Sequence, residues 1–193
     1  MKKDIILAGV GGQGILTIAN VLGVAALGEG LWLKQAEVHG MSQRGGAVQS
    51  NLRLSSEPIN SDLIPLGGAD IIISMEPMEA LRYLPYLKPD GVIVSNNQPF
   101  VNIESYPSEE SLNAAYADCG RRCILFDADT LAKEAGNARS GNIALLGAAT
   151  PFLDIETEII EKAISERFAL KGDEVVKVNL DVFRLGLSIS QSK

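Results

Sequence analysis

"ILAGVGGQGILTIANVLG", residues 6–23, runs from an apolar stretch through glycines at 9, 11, 12 and 14 into a second apolar stretch with helical character. A buried strand that turns through glycine into a helix is the opening unit of an α/β fold. The glycines also have a chemical meaning. A turn without side chains lets a ligand approach the backbone. The helix that follows offers free N–H groups and positive potential at its N-terminus, which suits phosphate. Gly9, Gly11 and Gly14 match G-x-G-x-x-G, Gly12 adds a further position without a Cβ, and Gln13 stands at the loop tip with a carboxamide that can donate or accept. A dinucleotide site also wants an acidic residue about 20 positions on, at the end of the second strand. Glu37 is the candidate, but "HGMSQRGG" and a further strand follow it where a Rossmann unit has a crossover helix. Three readings stay open: glycines that only permit tight strand–helix packing, an NAD site with Glu37 on the ribose, and a site for another phosphorylated ligand. The third is preferred.

Working outward, "DIILAGV" (4–10) is a buried strand and a helix is expected from about Gly12 to Gly28. "LWLKQAEV" (31–38) and "AVQSNLRLS" (47–55) read as strands, so 31–55 forms a β-hairpin-like excursion. "ADIIIS" (69–74), "GVIVSN" (91–96) and "RCILFDA" (122–128) are further strands. A helix through "EPMEALRYLPYL" has Pro77 in its first turn, and a serine caps one near "SEESLNAAYADCG". Beyond Asp127 the strands stop, and "DTLAKEAG", "NIALLGAATPFL", "TEIIEKAISERF" and "DEVVKVNLDVFRLGLSIS" all read as helices. The expected fold is α/β: a mostly parallel, Rossmann-like three-layer sheet with a hairpin excursion and a helical C-terminal part, one domain over residues 1–193. In such sheets ligands lie outside the carboxyl ends of the strands, where the glycine loop sits.

Composition narrows the function. A formal net charge of −7 with scattered Lys and Arg disfavours nucleic acid, whose phosphates need clustered cations. No stretch approaches the roughly 18 uncharged apolar residues of a membrane span. "MKK" before an apolar run imitates a secretory signal, but Asp4 and the glycines interrupt the apolar region, so it reads as the first strand. Two cysteines, Cys119 and Cys123, give no disulfide framework and point to the cytoplasm.

Two stretches together, "GVGGQGILTIANVLGVAALGEG" and "EVHGMSQRGGAVQSNLRL", resemble the gamma-type subunits of 2-oxoacid:ferredoxin oxidoreductases. "SMEPMEALRYLPYLKPDGVIVSN" and "DADTLAKEAGNARSGNIALLGA" extend the likeness over nearly the whole chain. "EVHGMSQRGG" stands where relatives for branched-chain or dicarboxylic oxoacids carry a proline-and-tyrosine segment, which places the likeness in the arylpyruvate branch, with the small subunits of indolepyruvate:ferredoxin oxidoreductases. The resemblance implies a split enzyme that oxidatively decarboxylates arylpyruvates to aryl-acetyl-CoA and reduces ferredoxin. Thiamine diphosphate, Mg²⁺ and 4Fe–4S clusters would lie on a larger partner subunit, and this chain alone would be inert, with no catalytic residue of its own. Its two cysteines cannot hold a four-cysteine cluster. "DGVIVSNN" (90–97) imitates a thiamine-binding motif but is too short for one, and Asp90-Gly91 reads as a turn. Carried over by position, coenzyme A contacts fall on Gly11, Gly12, Gln13, Gly14, Ile15, Leu16 and Thr17, and on Ser42, Gln43 and Arg44 before the double glycine. Arg44 suits a phosphate through its two-pronged fork; a salt bridge to Glu37 or to the partner is the other reading.

Among the remaining residues, His39 is the single histidine, a residue type suited to acid–base work near neutral pH; it stands either at the substrate mouth or in a structural bridge. Met41 is assigned to packing. Asn142 begins a helix and reads as its cap, Gly147 permits close packing of a buried helix, and Glu76 reads as first-turn helix charge.

Overall fold

The computed structural model describes residues 1–39, 45–101 and 103–191. Six strands, β1 (Lys2–Val10), β2 (Trp32–His39), β3 (Ala47–Ser55), β4 (Ala69–Ser74), β5 (Leu87–Asn96) and β6 (Arg122–Phe126), form one sheet in the order β2-β3-β1-β4-β5-β6. β1, β4, β5 and β6 are parallel neighbours, whereas β3 runs antiparallel to both β1 and β2. The expected hairpin excursion is therefore the wing of the sheet, with β3 placed between β2 and β1.

Helices α1 (Ile15–Gly28), α4 (Ala128–Glu134), α5 (Gly141–Ala149), α6 (Thr157–Phe168) and α7 (Asp173–Gln191) cover one face, and α2 (Pro77–Arg82) and α3 (Glu109–Asp118) the other. Alternation along the strands sorts the core. Ile5, Leu7, Ile71, Ile73 and Val94 pack toward α1 and the C-terminal helices, while Ile6, Ala8, Ile72 and Ile93 face Ala80 of α2 and Tyr116 of α3. The first crossover after β1 thus lies on one face, and the helix after β4 on the other. Their parting opens a crevice at the carboxyl ends of β1 and β4, the switch point where doubly wound sheets bind ligands. Charged side chains gather at the opposite end, where Arg53 clamps the buried carboxylate of Asp4 through two bonds of 2.7 and 3.0 Å.

Several boundaries move. α1 starts at Ile15 rather than near Gly12, because Gly14 (φ 80°, ψ 24°) caps it in the left-handed region. The helix after β4 stops at Arg82 and a 3₁₀ turn, Leu84–Tyr86, follows; Pro85 there has no N–H with which to continue an α-helix. β6 ends at Phe126, since Asp127 leaves the strand to cap α4 by accepting the Thr130 amide at 2.8 Å. Asp90-Gly91 is not a turn but part of β5. Pairing with β4 jumps there from Leu87 to Val92, so the strand bulges around these residues.

Candidate functional site

The glycine loop is built from inside. Its Gly11 amide donates to the Gly46 carbonyl at 2.8 Å, and the Gln13 amide donates to Val10 at 3.2 Å. The Gln13 side chain folds back as well: Oε1 accepts from the Val10 amide at 2.7 Å, and Nε2 makes a long contact of 3.4 Å to the Met75 carbonyl beyond β4. Gln13 therefore spans the crevice floor. Gly14 is held from the other side, where Asn142 Nδ2 donates to its carbonyl at 3.0 Å. Asn142 is not the cap of α5: Ser140 holds that position, and the Asn142 Oδ1 accepts the next amide, Ile143, at 2.9 Å. The amides of Ile15 and Leu16 belong to the first turn of α1, where helix geometry supplies no carbonyl partner. Ile15 is buried and offers only its backbone, while Leu16 is 47% exposed.

The loop opens onto a cleft of about 330 Å³, shared with Thr17, the α4–α5 connection (Asn137, Arg139, Ser140), Lys171 and the start of α7. None of its described lining residues is acidic. Two helix N-termini, those of α1 and α5, open into it, and Arg139 and Lys171 add two full charges. All four features favour an anion. Neither cation was among the residues singled out from sequence. Arg139 had a weak signal, lying three residues before Asn142; Lys171 had none, since it is brought in by the turn after α6.

Ser42, Gln43, Arg44 and Met41, together with the side chain of His39, lie outside the described residues. Glu37 stands on β2, at the sheet's edge, with β3 intervening before β1. Two inter-strand steps are roughly 10 Å, so the strand that should carry a ribose-binding carboxylate beside the loop is not its neighbour.

A family model for pyruvate ferredoxin/flavodoxin oxidoreductase matches residues 4–189. The chain belongs to this family. It is 40% identical over 201 aligned positions to the indolepyruvate oxidoreductase subunit IorB of Thermococcus kodakarensis, covering 99% of this chain and 98% of that one. Among solved structures it resembles the 2-oxoglutarate:ferredoxin oxidoreductase from Magnetococcus marinus (TM-score 0.78, 23% identity), spanning all of this chain but only 31% of that one. It also resembles a keto/oxoacid ferredoxin oxidoreductase gamma subunit from Geobacter sulfurreducens (TM-score 0.72, 23% identity), with 99% of each chain covered. These structures share the three-layer α/β fold described above.

The redox centres expected of such an enzyme do not fit the residues of this member of the family. Cys119 and Cys123 lie with their sulfurs 3.5 Å apart and are the chain's two cysteines. Burial, reinforced by Cys119, pushes the Cys123 thiol up to about 12, and two sulfurs are half of the four thiolates that such a cluster takes. In "DGVIVSNN", Asp90 lies at the bulge of β5 and Asn96 at its carboxyl end, six residues on, roughly 20 Å apart at the rise of an extended strand. One Mg²⁺–pyrophosphate unit cannot be held by both. The Asn96 carboxamide is also engaged, accepting from the Ala128 amide at 3.1 Å and donating to Asp129 at 3.0 Å. Among the described residues no group of three or more His, Cys, Asp or Glu is arranged to hold a metal ion.

Glu76, at the end of β4, is fully buried. Its carboxylate caps α2 through the Glu79 amide at 2.8 Å, accepts the Phe100 amide at 3.3 Å, and takes a short hydrogen bond from the Tyr106 hydroxyl. The cap agrees with a helix-charge role, and the other two donors tie the segment after β5 onto α2. Burial and the neighbouring Glu76 acceptor push the Tyr106 hydroxyl up, so it remains a donor. Tyr106→Phe leaves a buried carboxylate one donor short. The expected cost is about 1–3 kcal/mol, read as a lowered urea midpoint with unchanged slope; a loss under about 0.5 kcal/mol would show that solvent replaces the hydroxyl.

Proposed function

We propose that this chain is the small subunit of an indolepyruvate:ferredoxin oxidoreductase, and that its glycine loop and cationic cleft receive the phosphates of coenzyme A. The cleft is the observation that carries the site. Two helix N-termini, Arg139 and Lys171 converge beside a glycine loop at the sheet's switch point, with no acid among the described lining residues. Support for the arylpyruvate branch comes from the near full-length likeness to an indolepyruvate oxidoreductase subunit. Gly11, Gly12, Gln13, Gly14, Ile15, Leu16 and Thr17 form the contact on the described side. Ser42, Gln43 and Arg44 supply the other, with Arg44 a two-pronged donor to phosphate.

The overall reaction is oxidation of the arylpyruvate anion with coenzyme A thiol to aryl-acetyl-CoA, carbon dioxide, one proton and two electrons, the electrons passing to ferredoxin. Thiamine diphosphate, Mg²⁺ and 4Fe–4S clusters on the larger partner subunit supply the carbon–carbon cleavage and electron transfer. This chain contributes binding. It acts as one domain over residues 1–193, in the cytoplasm, where its two free thiols persist. Hydrogen-bonded amides and fixed cations set the coenzyme's position before reaction, which lowers the entropy lost on binding.

Viologen-linked oxidation of indolepyruvate with coenzyme A tests this, comparing the chain alone, the larger subunit alone and their mixture. Activity confined to the mixture, saturable in coenzyme A, is the expected result. An assembled mixture that is inactive on indolepyruvate but active on pyruvate or ketoisovalerate would move the chain to another branch. Binding of a dinucleotide by the isolated chain would overturn the assignment.

A further inference from the structure

We infer that Asn142 is a positioning residue for the phosphorylated co-substrate, acting through the Gly14 carbonyl; this rests on the reading that the loop contacts coenzyme A. Asn142 lies 128 residues from Gly14 in sequence, yet the residue is 6% exposed and its carboxamide is bonded at both ends. Nδ2 donates to the Gly14 carbonyl at 3.0 Å, and Oδ1 accepts the Ile143 amide at 2.9 Å. A methyl carbon on Gly14 would sit 2.6 Å from Nδ2, so the loop and the α5 terminus are in contact without slack. The same Gly14 carbonyl accepts the Thr17 amide at 3.0 Å. Asn142 therefore fixes the plane of the peptide from which the first-turn amides of α1 are aimed.

Elsewhere the loop is held by backbone bonds to Gly46 and Val10 and by the Gln13 carboxamide. Gln13 and Asn96 both approach the Met75 carbonyl at 3.4 Å, and Asn96 reaches on to Asp129. Those contacts at Met75 are long, whereas the Asn142 bond has ordinary hydrogen-bond length and comes from the helix that also borders the cleft. Asn142 thus couples the α5 wall of the cleft directly to the loop. A site held within about 0.5 Å by such a second layer binds without first ordering itself.

The variant Asn142→Ala, in the assembled two-subunit enzyme, removes the donor without adding charge, and alanine favours the helix it enters. The apparent KM for coenzyme A should rise at least tenfold, with KM for the oxoacid and kcat at saturating coenzyme A within twofold of wild type. Hydrogen–deuterium exchange of residues 11–17 should quicken, while residues 144–149, whose amides Asn142 does not bond, keep their protection and so report an intact α5. Asn142→Asp keeps the bond to Ile143 and replaces the donor with an oxygen. Its charge repels phosphate directly, so its loop exchange is the measurement to read, and it too should quicken. Unchanged exchange and unchanged KM in folded variants would overturn the inference. The underlying reading is checked separately in wild-type enzyme: coenzyme A must slow exchange at 11–17. If it does not, the coenzyme is elsewhere, and the inference falls with it.

Discussion

Gly147→Ala lowers the stability of this chain by about 3 kcal/mol or more, the upper end of what overpacking costs. Every residue of α5, Gly141 to Ala149, is buried, and the helix lies directly against α7. A Cβ on Gly147 would stand 2.0 Å from the Phe183 carbonyl oxygen and 2.9 Å from the Leu187 nitrogen. The contact is reciprocal, because a Cβ on Gly186 of α7 would stand 2.0 Å from the Ala144 carbonyl oxygen. Backbone meets backbone at both positions, so no rotamer change relieves the overlap. The helices must separate, and the surrounding core, including Phe183 and Val182, must loosen with them. For a chain of this size, each kcal/mol moves the melting temperature by about 2–4 °C, and the expected drop is roughly 6–12 °C. Since one separation relieves both overlaps, Gly147→Ala with Gly186→Ala should cost less than the sum of the single variants. Thermal and urea unfolding of the three variants measure this. A single-variant loss below about 1 kcal/mol would mean that the helices are not held at this distance in solution.

That close packing was legible as a buried helix with a glycine in it, because "IALLGAA" is apolar on all sides. Its partner was not, since nothing in residues 141–149 names Gly186. The same division runs through the molecule. Strands announced themselves as buried apolar runs, the C-terminal helices by their periodicity, and the glycine loop by its spacing. The position of β3 between β2 and β1 had no local signal: alternation along "AVQSNLRLS" fits an edge strand as well as an inner one. At the site, the loop was readable because its four glycines fall within six residues. Arg139, Lys171 and Asn142 were not, because they reach it only when α4, α5 and the turn after α6 pack against α1. Asn142 was read as a cap from its place at a helix start, where Asn usually serves the local backbone. One of its two polar ends does so, and the other serves Gly14. Glu76 shows the same limit. Its capping bond to Glu79 spans three residues, while Tyr106, thirty residues away, accounts for how a carboxylate can be fully buried.

Gly14→Ala should raise the apparent KM of the assembled enzyme for coenzyme A at least tenfold and destabilise the chain by about 2–3 kcal/mol, from two separable sources. The first is conformational: Gly14 has φ 80°, where an L-residue costs roughly 1–2 kcal/mol. The second is contact, because the new methyl carbon would be placed 2.6 Å from the Asn142 Nδ2 and 3.3 Å from its Cγ. Asn142 is a side chain and can yield, but only by giving up its bond to the Gly14 carbonyl. The two sources separate in a double-mutant cycle. In an Asn142→Ala background the contact is gone, and Gly14→Ala should cost only the conformational part, so the substitutions couple by about 1 kcal/mol. Neighbouring Gly12 provides the comparison: it also has positive φ, 103°, but a Cβ there would meet nothing within 4 Å. Gly12→Ala should therefore show the conformational cost alone, in either background. Simple additivity of Gly14→Ala and Asn142→Ala, in both stability and coenzyme A KM, would show that the loop and α5 do not bear on each other. Coupling at Gly14 without coupling at Gly12 would locate the hold on the loop at the single carbonyl that Asn142 reaches.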